Sequence, residues 1–122
     1  MARLKENTAR EQRIETEAVV DAYNSEERAM GWYYYLEERL KVPFKARCKS
    51  KREASPLRVG EEVEVLGMAR EEECDSEMFV RVCWCGRRLA VSLSQLKPLR
   101  VDATTREAVG DWHYWVGRGY EL

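Results

Sequence analysis

The spacing of apolar positions changes twice along the chain. Ile14, Ala18, Val19 and Ala22 recur at helical intervals, which predicts a short amphipathic helix ending near Tyr23-Asn24. Residues 1–12 carry no such pattern and read as a frayed polar extension or the loose start of a helix, leaving 13–41 as the helical block. Ala29, Tyr33, Leu36 and Leu40 then share one face of a second helix, with Trp32 beside them. Asn24 with Glu27 makes a capping box, Ser25 is an equally good N-cap, and Pro43 stops the helix. Either Tyr34 or Tyr35 must lie nearer the surface, because the run 32–35 cannot all face inwards.

From Phe44 the period shortens to two. Phe44, Ala46 and Cys48 alternate with Lys45, Arg47 and Lys49, as in a half-buried strand. Val63 and Val65 alternate with Glu62 and Glu64 after a turn at Val59-Gly60. Residues 78–85 and 89–93 are two further runs of strand formers, with a turn at Gly86-Arg87-Arg88 between them. Ser94-Gln95-Leu96 reads as one helical turn. Short strands joined by short loops predict an antiparallel meander over 44–100, which would lose its exposed edges by closing. Thr104 with Glu107, and then Val109, Trp112 and Val116, predict a last helix over 104–117. The expected fold is therefore α+β: a small antiparallel SH3-like β-barrel packed with two N-terminal helices and one C-terminal helix, in a single domain over 1–122.

Composition narrows the partners. Lys and Arg number 21 against 22 Asp and Glu, for a net charge of −1, which speaks against a dedicated nucleic-acid binder. No apolar run approaches the roughly 18 residues of a membrane span, and the charged first residues do not read as a secretory signal. The expected location is cytoplasmic, with Cys48, Cys74, Cys83 and Cys85 as reduced thiols in a monomer. Cys83 and Cys85 are two apart on a strand and could share a metal with Cys48 and Cys74, but the knuckle spacing of structural zinc sites is missing. The favoured reading is that Cys48 and Cys83 fill apolar strand positions as small hydrophobes. His113 is the sole histidine and has no recognisable orienting partner; together with the lack of a phosphate loop or nucleophile elbow, this gives no enzyme reading.

Two charged clusters remain. Glu71, Glu72, Glu73, Asp75 and Glu77 crowd into one loop between strands, where carboxylates and free carbonyls suit a hard cation such as calcium. The EF-hand spacing is missing, and a solvated loop that blunts a sheet edge is the more common use of such a run. Glu37 and Glu38 sit near the end of the second helix, where a bound cation or a neighbouring arginine would relieve their repulsion with the dipole. Lys45, Arg47 and Lys49 share the outward face of the first strand and support a rival reading, an interaction module for RNA or a protein partner.

Four blocks carry a resemblance: 29–37 (AMGWYYYLE), 43–48 (PFKARC), 59–69 (VGEEVEVLGMA) and 111–115 (DWHYW). Through them the chain, over about residues 17–120, resembles the small calcium-binding proteins first recognised in cyanobacteria. The resemblance implies a compact α/β fold and Ca2+ held by surface carboxylates without an EF-hand. It also implies a cytoplasmic buffering or signalling role. The acidic positions inside or beside the matching blocks, and so the candidate ligands, are Glu37, Glu38, Glu71, Glu72, Glu73, Asp75 and Glu77.

Overall fold

Asn7 starts the first helix: its side chain accepts from the backbone N–H of Arg10 at 3.0 Å. In the computed structural model, which describes residues 4–122, helix α1 spans Thr8–Arg13 and widens into a π-helical turn over Ile14–Ala18. The start therefore lies inside the stretch expected to be loose, of which residues 1–3 fall outside the described residues. The physical reason is that α1 buries none of its side chains and leaves no apolar period to read. It is held by polar contacts instead. Arg10 and Arg13 donate to the fully buried carboxylate of Asp111 at 2.7–2.8 Å, and the Tyr35 hydroxyl donates to it at 2.6 Å.

Helix α2 spans Ser25–Arg39, with Asn24 accepting from Glu27 N–H at 2.8 Å. Glu27 reaches back to the N–H of Tyr23, one residue before the predicted partner. Ala29, Trp32, Tyr33, Tyr35 and Leu36 are buried and Tyr34 is exposed, which settles the order of the aromatic run. Gly31 lets the π-turn lie against this helix, since a Cβ there would stand 2.2 Å from the Ala18 carbonyl oxygen. Helix α3 spans Ala103–Gly117 and is capped by Asp102, which accepts from Thr105 N–H at 2.8 Å, so the predicted Thr104 cap is displaced. Val109 and Trp112 are buried as expected, but Val116 is 39% exposed; the inner face runs instead through Thr105, Ala108 and Trp112.

The strands are β1 (Phe44–Cys48), β2 (Glu62–Met68), β3 (Phe79–Trp84), β4 (Arg87–Ser92) and β5 (Leu96–Leu99). They form one sheet in the order β4-β3-β2-β1-β5, each neighbouring pair antiparallel. The expected alternation holds: Phe44, Ala46, Cys48, Val63 and Val65 point into the core. The expected closure into an SH3-like barrel is corrected. Among the described residues β4 and β5 remain the two edges of an open sheet. β5 is four residues long and contains Pro98, which has no N–H to offer a ladder, and β4 opens with Arg87 and Arg88. A short 3-10 turn at Leu93–Gln95 carries the chain from one edge to the other, close to the predicted helical turn. One face of the sheet packs on α2 and α3, where Trp32 meets Trp112 edge-on at 5.1 Å and Tyr35 at 5.5 Å. Among the described residues no helix is long and apolar enough to cross a membrane.

Candidate metal centre

The acidic segment is a folded turn rather than a loose loop. Glu71–Glu73 form one 3-10 turn, and Glu73 folds back to accept from the Arg70 N–H at 3.2 Å. Cys74 is buried directly after it and accepts from Phe79 N–H through sulfur at 3.3 Å. Burial pushes this thiol's pKa up, so it behaves as a neutral anchor. A second tether comes from α2: the buried Tyr33 hydroxyl donates to the Ala69 carbonyl at 2.7 Å. With Cys74 and Tyr33 pinned inwards, Glu71, Glu72 and Asp75 are turned out to solvent.

They border an open cleft of about 570 Å³ between the turn and the first half of α2. Its helical wall carries Glu26, Ala29, Met30 and Tyr33, and among the described residues no Lys, Arg or His side chain lines it. The tyrosines register the local charge. Burial raises the Tyr33 phenol pKa most, followed by the charge of Glu37. Tyr34 is raised chiefly by donating to Glu71 at 3.1 Å.

The seven predicted carboxylates thus divide. Glu71, Glu72 and Asp75 share the cleft, and Glu26 joins them from α2. Glu37 is exposed farther along the helix, close enough to act on Tyr33 and Tyr34. Glu38 pairs with Arg39 at 3.5 Å, and Glu73 is used by its own turn. Glu77 is held by Arg52 at 2.7 Å and by the Ser92 hydroxyl at 2.6 Å. Glu26 escaped the sequence reading because tertiary contacts, Tyr33 with Ala69 and Tyr34 with Glu71, bring α2 over the turn; an acidic first turn is otherwise ordinary. Among the described residues, as their side chains stand, no three His, Cys, Asp or Glu groups converge closely enough to hold a metal ion.

The rival features are absorbed by the fold. On the outer face of the sheet Lys45 lies opposite Glu64, and Arg47 opposite Glu62 with an ion pair of 3.2 Å. The basic stripe of β1 is therefore compensated across the strand. Cys48 is buried and donates to the Ser50 carbonyl at 3.2 Å, and all four cysteines are free thiols. His113 bonds through Nε2 to the Leu93 carbonyl at 3.1 Å, and burial, with a contribution from Lys49, lowers its pKa to about 4.

A family model described as calcium binding, of the CcbP type, matches residues 12–116. The chain belongs to the CcbP calcium-binding family. The crystal structure of Anabaena CcbP has a TM-score of 0.89 with it at 45% identity, and each chain is covered in full. A structure described as a calcium binding protein in the calcium-binding form has a TM-score of 0.85 at 44% identity, again over the whole of both chains. No curated protein matches. The CcbP likeness thus spans the open sheet, the helices and the acidic turn of this chain alike.

Proposed function

We propose that this chain binds calcium in the cleft between α2 and the 71–75 turn, as a cytoplasmic buffer or signalling protein rather than an enzyme. One observation carries the reading. Among the described residues, Glu26, Glu71, Glu72 and Asp75 line one cleft that no cationic side chain enters, and none of them is in an ion pair. Glu38 and Glu77 close by each have an arginine. A divalent cation in the cleft relieves the repulsion left among the unpaired carboxylates.

The donors fit calcium in kind. Calcium takes about six to eight oxygens, from carboxylates, carbonyls and water, in flexible geometry. The cleft offers carboxylates on exposed side chains that are free to swing inwards, beside the backbone of a turn. Ligands that must be gathered on binding support a modest affinity, roughly micromolar to millimolar. The free thiols fit a reducing compartment.

A calorimetric calcium titration of chelator-stripped protein, with magnesium as control, tests the reading. Saturable heat with calcium is expected, and the double variant Glu72→Gln/Asp75→Asn should lose the tightest site. An unchanged isotherm in that variant moves the site elsewhere. The RNA-binding alternative has less support, since the cations of β1 already face Glu62 and Glu64.

A further inference from the structure

The outer face of α2 exposes large apolar groups where a solvated helix would place polar ones. Met30 is 42% exposed and Tyr34 46%, one helical turn apart, with Ala29 and Tyr33 forming the floor of the cleft beside them. Glu26 lies one turn before Met30 and Glu37 about one turn after Tyr34, while Glu71 and Asp75 face them from the turn. This is an apolar strip enclosed by negative charge, on a chain whose net charge is only −1.

We propose that this face is a docking groove for a basic segment of a partner protein that carries apolar anchors, and that calcium and the segment compete for it. The competition rests on the calcium reading above; the docking does not. Anchors spaced one turn apart on an amphipathic partner helix match Met30 and Tyr34. Lysine or arginine side chains flanking those anchors then meet the carboxylates that lack an internal cation. The same charge repels nucleic acid and anionic lipid headgroups, whose phosphates would face Glu26, Glu71 and Asp75. A second copy of this chain fits less well, because the cations of β1 already lie opposite Glu62 and Glu64. Calcium on Glu71, Glu72 or Asp75 withdraws the charge that the partner's cations need, so calcium loading releases the segment.

Fluorescence anisotropy on the full chain tests this, using a labelled helix-forming peptide of leucine and lysine. Oligolysine and a leucine–glutamate peptide serve as controls. The leucine–lysine peptide should bind the calcium-free chain at least about ten-fold more tightly than oligolysine, reflecting apolar anchoring beyond charge. Met30→Gln, which removes one of the two exposed apolar anchors, should weaken the peptide about ten-fold in the calcium-free chain. Saturating calcium should release the bound peptide. Equal binding of oligolysine, no effect of Met30→Gln, or no saturable binding would overturn the docking. Stronger binding of an oligonucleotide or of anionic vesicles, or self-association abolished by Met30→Gln, would reassign the face and overturn it too. A peptide that stays bound while the same sample shows full calcium heat would overturn the competition. A sample without calcium heat sinks the calcium reading alone, because the calcium-free arm still decides the docking.

Discussion

At the scale of single residues, Asp111 is the most consequential side chain outside the candidate site. It is a fully buried carboxylate that receives two arginines and a tyrosine, and these join α1 and α2 to α3. Asp111→Asn leaves Arg10 and Arg13, both still partly reached by solvent, against a neutral amide, so a loss of about 1–3 kcal/mol is expected in denaturant unfolding. A loss under 1 kcal/mol, roughly the worth of an exposed pair, would show the clamp to be dispensable. His113 gives a pH signature. Its pKa in the fold is about 4 against an ordinary 6.5, so below 6.5 the unfolded chain takes up the proton first. Stability should therefore fall as the pH drops from 6.5 towards 4, and His113→Gln should flatten that part of the profile relative to the parent chain. An identical profile in the variant would assign the acid sensitivity to the carboxylates instead.

At the scale of elements, the sequence was legible wherever burial follows a period. Ala29, Tyr33, Leu36 and Leu40 are buried as their spacing predicts, and the alternation over 44–48 is the inside and outside of β1. Elements held by polar contacts were illegible. α1 buries nothing and so left no apolar trace, and the π-turn after it depends on the close approach of Gly31 to Ala18. That approach is a prediction of its own. Gly31→Ala gains helix propensity yet forces a methyl against the Ala18 carbonyl, so a net loss of about 1–3 kcal/mol is expected in thermal unfolding. A stabilised variant would mean that the turn yields freely. Asp102 took the cap from Thr104 for a related reason: both residue types can cap, and only the path of the chain out of β5 chooses between them.

At the scale of the whole molecule, the order of the strands sets where charge ends up. Pairing β1 with β2 places Glu62 and Glu64 against Arg47 and Lys45, which neutralises the face that looked basic in the sequence. Packing α2 over the end of β2, through Tyr33 and Ala69, brings Glu26 to the acidic turn across a cleft that no described cationic side chain lines. The acidic turn was legible as a run of carboxylates, whereas its division into paired and unpaired members was not. Glu77 and Arg52 are far apart in sequence, and nothing local predicts that they meet. The open sheet was missed likewise, because closure depends on whether two edges pair and the strand pattern is the same either way.

The most direct test compares the calcium affinities of Glu26→Gln and Glu77→Gln by calorimetry. Both remove one charge near the same turn, but the first lines the cleft with no cation beside it among the described residues and the second is held by Arg52. Glu26→Gln should weaken calcium roughly ten-fold, as loss of one charged ligand implies, and Glu77→Gln should leave it within about two-fold. The opposite order, with Glu77 essential and Glu26 dispensable, would contradict a site between α2 and the 71–75 turn.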